Sequence, residues 1–140
     1  MKAADEFGKG LAVRQQMFYA AMSLNYYNRD PKGLDTTRLM SELQTRYTPF
    51  KYLDGTYMQT SFGHLDGYSA IYYTYMWSKV IAKDLESQFK KEGMMNPAVA
   101  ARYRDTVLAP GATKPAAELV KDFIGRPYSF KAYEEWLNQN

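Results

Sequence analysis

The 140-residue sequence contains no cysteine and only one histidine, His64. Without cysteine the chain can form neither disulfides nor thiolate metal sites, so cysteine usage gives no information on the redox compartment. With one histidine, a metal site that needs two histidine ligands cannot be built within one copy of the chain. The residues of this chain therefore predict no metal site of their own.

Long apolar runs and blocks of like charge are also missing. No stretch approaches the roughly 20 apolar residues of a membrane-spanning helix. The N-terminal segment MKAADEFGKG has acidic residues where a signal peptide needs an apolar core. The net charge of +3 is spread along the chain, unlike a nucleic-acid tail or a basic membrane patch. We therefore expect no nucleic-acid or membrane partner, and the cytoplasm is the default location.

The composition is that of a folded protein with many aromatic residues. Apolar residues make up 46% and charged residues 24% of the chain, which is ordinary for a globular domain. Aromatic residues reach 16%, including 13 tyrosines. The length suits one domain, or a piece of a larger one, with a sizeable core. We predict a single domain or fragment over residues 1–140.

Helical spacing of apolar residues and well-marked stops predict a mainly α, bundle-like fold of about six helices. The expected helices cover about 10–27, 36–47, 68–92, 96–109, 113–125 and a last short stretch from 129. Between the second and third, residues 48–67 form one long ordered loop, in which Thr56 to Phe62 is either a short strand or extended chain. Long ordered loops are often functional.

In the first helix, the predicted apolar face is carried by five residues at helical spacing. They are Val13, Met17, Ala20, Ala21 and Leu24. In the second helix, Asp35 or Thr36 is the expected N-cap, and Thr48-Pro49 is the expected stop, because a residue before proline avoids helical backbone angles.

The most informative segment is YMQTSFGHLDGYSAIYYTYMW, residues 57–77. If a helix begins at Tyr68, then Tyr68, Tyr72 and Tyr75 share one of its faces, and the loop with His64 leads directly into it. Phenol groups beside an imidazole can donate hydrogen bonds to a peptide carbonyl, or to the oxyanion formed when that carbonyl is attacked. The alternative is that these tyrosines are amphipathic residues at the edge of the core.

Residues 5–9, DEFGK, match the centre of the zinc-binding motif HExxH. In that motif two histidines one helical turn apart bind the metal. Here Asp5 and Lys9 occupy the histidine positions, and a lysine ammonium has no lone pair for zinc. We interpret the match as accidental and Glu6 as a solvated residue at a helix entry.

From Gly55 onward, GTYMQTSFGHLDGYSAIYYTYMWSKV resembles the C-terminal catalytic region of the thimet oligopeptidase, neurolysin and oligopeptidase A family of zinc metallopeptidases. The later segment NPAVAARYRDTVLAPGATKPAAELVKDFIGRPYSF is similar to the closing stretch of that family. The resemblance covers about residues 54–130. It implies a largely helical, clam-shaped peptidase with a deep channel, acting on short peptides.

The resemblance also implies where the zinc is held. In the family, HExxH and a glutamate from a following helix bind the metal, and both precede the part matched here. The zinc is therefore expected in the intact parent enzyme and not in this chain alone, which would be inactive by itself. Its partners would be the short peptide substrate and the upstream zinc-binding part, in the same protein or in a separate subunit.

By motif, the resemblance implies roles for five residues. Tyr75 and Tyr68 fall on positions that stabilise the oxyanion, and the substrate-binding positions correspond to His64, Tyr72 and Gly67. Many family members have two glycines before the first tyrosine, where this chain has Asp66 followed by Gly67. The loop is thus one residue shorter, with less of the freedom that two glycines provide.

Two other hypotheses remain open at this point. The chain could be a freestanding helical module that binds peptides or a partner protein through the same tyrosines. It could also be one subunit of a split enzyme whose other subunit carries HExxH.

Overall fold

The computed structural model describes residue 4 and residues 6–139 of the chain. Within this part it contains six α-helices and no strand, which confirms the mainly α prediction. They are α1 (Lys9–Tyr27), α2 (Thr36–Tyr47), α3 (Thr74–Glu92), α4 (Pro97–Tyr103), α5 (Ala116–Ile124) and α6 (Lys131–Asn138). Shorter helical turns occur at Met58–Thr60, Gly63–Leu65 and Gly111–Thr113, and one π-helical turn at Arg104–Leu108 follows α4 directly. None of the helices in the described part is long and apolar enough to cross a membrane.

The ends of α2 follow from the residues that flank it. The carboxylate of Asp35 accepts a hydrogen bond of 2.9 Å from the backbone N–H of Arg38, so Asp35 is the N-cap. This satisfies one of the backbone donors that a helix leaves unpaired at its start. At the other end Thr48 is extended, with φ −122° and ψ 154°, as expected before Pro49.

The bounds of α4 and α5 follow the same logic. Asn96 caps α4, since its side-chain oxygen accepts from the backbone N–H of Ala98 at 2.9 Å, and Pro97 occupies the first turn. Proline is well tolerated there because its missing N–H would have no partner in the helix. The α5 helix ends at Gly125, whose φ of 77° is left-handed, a conformation that glycine adopts without strain.

The chain divides into two units, one up to Met76 and one from Trp77 onward. The prediction of a single domain or fragment over 1–140 stays a prediction. In the first unit, α1 packs against α2. Its buried core contains Phe18, Met22, Met40 and Leu43, surrounded by partly buried aromatic residues such as Tyr19 and Phe62.

This core corrects part of the predicted face of α1. Ala20 is buried and Ala21 packs against the core, as expected, but two other residues of that face are exposed. Phe18 and Met22 are buried, whereas Met17 and Leu24 are 41% and 48% exposed. Apolar residues occur on more than one side of α1, so helical spacing alone does not identify the side that packs against α2.

The second unit has its own buried residues. They are Val80, Val99, Leu119, Val120, Phe123 and the charged Asp84. The rings of Phe89, Tyr103 and Phe123 lie in mutual contact, with centroids 5.3–5.9 Å apart. These contacts connect α3, α4 and α5 within this unit.

The third helix begins later than predicted. Residues 68–73 form turns, and α3 starts at Thr74 instead of Tyr68. The cause is local backbone geometry: Gly67 has φ 98° and Ser69 has φ 49°, and both values interrupt a right-handed helix. Tyr68 and Tyr72 therefore precede the helix, and only Tyr75 lies in its first turn. The preceding segment from Thr56 to Phe62 is a loop with one helical turn, not a strand.

Candidate functional site

The centre of the candidate site is the contact between His64 and Tyr75. His64 lies in the helical turn Gly63–Leu65, and Tyr75 lies in the first turn of α3. The Nε2 atom of His64 is 3.1 Å from the Tyr75 hydroxyl oxygen, within hydrogen-bond distance. The two rings meet edge to face, with centroids 5.7 Å apart and planes at 74°.

Two further tyrosines surround the same imidazole. The ring centroid of His64 is 5.9 Å from that of Tyr68 and 5.0 Å from that of Tyr72. Tyr72 also contacts Tyr75, at 5.0 Å between centroids. The structure thus brings the histidine and the three tyrosines together, although turns before α3 achieve this and not a shared helix face. We call these four residues the His–Tyr cluster.

Gly67 contributes backbone geometry rather than a contact. Its φ of 98° is left-handed, and nothing lies within 4 Å of the position that a Cβ atom would occupy. Glycine is therefore favoured here for its conformational freedom and not for a lack of space. This conformation sets the direction of the chain between His64 and Tyr68.

The cluster is open to solvent on one side. Tyr68 and Tyr75 are 59% and 56% exposed, whereas His64 and Tyr72 are half-buried. The exposed phenol groups are therefore accessible to a ligand, and the inner pair supports them.

Helix α1 holds this segment at three points that the sequence analysis did not identify. Ser23, which is 1% exposed, donates a hydrogen bond of 2.6 Å to the Ser69 carbonyl. The hydroxyl of Tyr27 donates to the Leu65 carbonyl, next to His64. The side-chain oxygen of Gln16 accepts a hydrogen bond of 3.0 Å from the hydroxyl of Tyr72.

These three anchors share one face of α1. Gln16, Ser23 and Tyr27 are separated by seven and then four residues, which returns to the same side of a helix. The three anchors have helical spacing in the sequence, but Arg14, Gln15 and Asn25 are further polar residues of the same helix. Residue spacing alone therefore does not single out this face of α1.

Aromatic rings form the support beneath Tyr72. Its ring meets those of Tyr19 and Phe62 edge to face, at 5.7 and 5.2 Å between centroids. Burial raises the pKa of Tyr72, and the neighbouring phenols of Tyr19 and Tyr75 raise it further. Tyr72 therefore stays protonated at neutral pH and carries one hydroxyl proton.

This arrangement can bind a carbonyl group. Neutral phenols and an imidazole N–H are hydrogen-bond donors. Donors held in fixed positions stabilise negative charge that develops on a carbonyl oxygen under attack. The four predicted side chains thus lie together in a geometry suited to a peptide ligand.

The donor set of the described residues does not fit a zinc ion. Over residue 4 and residues 6–139, no three His, Cys, Asp or Glu side chains come together in a group that could hold a metal. The neighbours of His64 in the cluster are aromatic, and Glu6 pairs with Lys9 at 3.7 Å. Asp5, the other acidic residue of the DEFGK segment, lies outside the described residues.

The whole of residues 1–139 matches the model of peptidase family M3. The chain therefore belongs to a class of peptidases, and within that class to peptidase family M3. This confirms the resemblance found in the sequence.

Individual relatives agree with the family. The chain is 31% identical to mitochondrial intermediate peptidase of Mus musculus over 80% of its length. It is 30% identical to mitochondrial intermediate peptidase 1 of Cryptococcus neoformans over 86% of its length, and 42% identical to thimet-like oligopeptidase of Dictyostelium discoideum over 51%. The matches cover 16%, 18% and 11% of those proteins. The chain thus spans about a sixth of the length of the first curated relatives it matches.

Proposed function

We propose that this chain is the substrate-binding and oxyanion-stabilising part of a zinc-dependent peptidase that acts on short peptides. The metal site would lie in an upstream part of the same polypeptide or in a separate subunit. The observation that carries the proposal is the contact of 3.1 Å between His64 and Tyr75, with Tyr68 and Tyr72 around the same imidazole. Membership of peptidase family M3 supports it.

In the proposed reaction, the Tyr75 hydroxyl donates a hydrogen bond to the oxygen of the scissile carbonyl. With its proton on Nε2, His64 donates to the Tyr75 oxygen, which leaves the Tyr75 proton for the substrate. As the carbonyl becomes an oxyanion, the hydrogen bond from Tyr75 strengthens, and this lowers the barrier to attack.

Tyr68 is the proposed second donor to the same substrate. Its side chain is exposed, and its ring lies close to that of His64, at 5.9 Å between centroids. Gly67 sets the turn that brings Tyr68 back to the imidazole, and Tyr72 supports the rings of both His64 and Tyr75.

Replacement of Tyr75 by Phe in the complete peptidase tests this role. The ring is retained and only the hydroxyl donor is lost, so kcat falls by roughly 10²–10³ while KM changes little. The matched control is Tyr73→Phe, since Tyr73 is a neighbouring exposed tyrosine outside the His–Tyr cluster. Steady-state kinetics on a short peptide measures both variants. An unchanged kcat in Tyr75→Phe contradicts the assignment.

A second candidate function is a freestanding module that binds peptides or a partner protein. The exposure of Tyr68 and Tyr75 supports it, because the cluster is accessible within this chain. This function requires micromolar binding of a peptide by the chain alone, abolished by Tyr68→Ala or Tyr72→Ala. Calorimetry on the 140-residue chain distinguishes it from a part that works only with the zinc-binding region. The cytoplasmic location and the absence of nucleic-acid and membrane partners stay predictions.

A further inference from the structure

The hydrogen bond between Tyr72 and Gln16 has a direction. The Tyr72 hydroxyl donates to Oε1 of Gln16 at 3.0 Å. The Tyr72 ring cannot easily turn away, because four aromatic rings surround it: Tyr19, Phe62, His64 and Tyr75. Gln16 is itself half-buried on α1, and its Oε1 atom is the partner of the hydroxyl.

This direction decides what Tyr72 can offer a ligand. A phenol has a single proton, and in Tyr72 that proton is engaged by Gln16. Only the lone pairs of the oxygen remain, so Tyr72 can accept a hydrogen bond and cannot donate one. Tyr68 and Tyr75 are exposed residues, and their hydroxyl groups can donate. The cluster therefore presents donors and an acceptor side by side.

A peptide backbone offers the complementary pair of groups, a carbonyl acceptor and an N–H donor in each residue. We propose that Gln16 and Tyr72 form a specificity-determining pair, in which Gln16 fixes Tyr72 as the acceptor for one backbone N–H of the bound peptide. This inference rests on the proposed function and deepens it. It assigns Tyr72 a role opposite to that of the carbonyl-binding Tyr75.

The pair would select peptides by backbone chemistry. Proline and N-methylated residues lack the N–H group, and an ester linkage replaces it with oxygen. A peptide with any of these at the recognised position would leave the Tyr72 oxygen without a donor. Such peptides bind about 3- to 10-fold more weakly, the usual effect of losing one hydrogen bond.

The hydrogen bond itself is tested first, without ligand. NMR of the 140-residue chain with labelled tyrosine detects the Tyr72 hydroxyl proton through its slowed exchange with water. We expect this signal to disappear in Gln16→Met, which keeps the side-chain length and removes the acceptor. It should persist in Gln16→Glu, whose carboxylate still accepts. Gln15→Met is the matched control on the adjacent position. A signal unaffected by Gln16→Met overturns the pairing.

Recognition of the N–H is tested next, by calorimetry with capped penta-alanine and analogues in which each amide is replaced in turn by an ester. In whichever protein binds the peptide, the 140-residue chain or the complete peptidase, and in its Gln15→Met variant, one ester position weakens binding about 3- to 10-fold. In Tyr72→Phe that position has no special effect, because the acceptor oxygen is gone. In Gln16→Met the effect is reduced, because the Tyr72 oxygen remains but is no longer held as an acceptor. If the same ester still weakens binding by the same factor in both variants, Tyr72 is not the acceptor and the inference is wrong.

If the proposed function is wrong, the result differs from the one expected when only the Tyr72 inference is wrong. If penta-alanine binds neither to the chain nor to the complete peptidase, the peptide-binding role is wrong, and the ligand assigned to Tyr72 is wrong with it. The NMR experiment still decides whether Gln16 holds the Tyr72 proton. If peptide binds and every ester analogue binds equally well, only the specificity inference is overturned.

Discussion

Asp84 is a fully buried charge in the second unit, with 1% of its surface exposed. Its carboxylate accepts hydrogen bonds of 2.5 and 2.9 Å from Arg126 and one of 2.7 Å from the backbone N–H of Ser129. Burial alone would raise the pKa of Asp84. The hydrogen bonds from Arg126 and Ser129 and the charge of Arg126 outweigh burial, so the pKa lies below its ordinary value of 3.8. The resulting stability is present above that value and is lost as pH falls through the lower folded-state pKa.

Arg126→Ala therefore destabilises the chain strongly at neutral pH. It leaves Asp84 buried without its cation, which costs about 3 kcal/mol of unfolding free energy. The loss shrinks below about pH 4, because Asp84 then becomes protonated. Urea denaturation at several pH values measures this. The control is Arg104→Ala, which breaks an exposed pair with Asp105 and changes stability much less, because solvent screens the charges of an exposed pair. Equal losses in the two variants would contradict the importance of burial.

Among the helices, α2 shows how one N-cap residue can have two effects. Asp35 accepts a hydrogen bond from the backbone N–H of Arg38 at the start of the helix. Its charge also acts on Tyr26, whose hydroxyl donates to the Thr36 carbonyl at 2.7 Å. Burial, and then the negative charge of Asp35, raise the pKa of Tyr26 to about 12. The cap and the charge can be separated by substitution.

We expect Asp35→Ala to lower the unfolding free energy by about 1 kcal/mol, since alanine cannot cap a helix. Asp35→Ser retains a capping oxygen, so it keeps most of the stability. Both substitutions remove the charge and lower the pKa of Tyr26. Thermal unfolding and an ultraviolet titration of the tyrosines give the two readouts. Equal stability of the Ala and Ser variants would show that the cap contributes little.

Much of the helix pattern could be predicted because caps and breakers are local signals. Asp35, Asn96-Pro97 and Gly125 act through their own backbone and nearest neighbours, so α2, α4 and α5 start or end close to the predicted positions. The start of α3 could not be predicted in this way. Ser69 adopts a positive φ of 49°, and the residue types of that segment do not predict a left-handed backbone at this serine.

The candidate site illustrates the same limit. The identities of His64, Tyr68 and Tyr75 pointed to a shared site, and the structure does bring them together. The helix face that was expected to do so does not exist, because the turn at Gly67 and Ser69 replaces its first part. Gln16 lies 56 positions from Tyr72, and residue spacing gives no information on such a contact.

At the scale of the whole molecule, the chain exposes apolar surface on α1. Met17 and Leu24 lie seven residues apart on one helix face and are both exposed. Surface of this kind promotes association unless another part of the protein covers it. The proposed parent enzyme would provide such a cover.

The isolated chain is therefore expected to self-associate and to bind a hydrophobic dye. Replacing both Met17 and Leu24 by Gln should reduce association and dye binding without loss of helix content, since neither side chain belongs to the buried core. Sedimentation velocity and dye fluorescence measure these changes. If the 140-residue chain without these substitutions is monomeric and binds no dye, the prediction is wrong.

The central claim is that this chain supplies the substrate-facing half of a zinc peptidase site. The most direct test is mass spectrometry of the native protein purified from its source cell, together with any subunit that copurifies. We expect either peptides that precede Lys2 in the same polypeptide and contain HExxH, or a tightly bound subunit that contains HExxH. A native chain that begins at Met1 and copurifies with no HExxH-bearing partner would contradict it, and the peptide-binding module would then be the better description.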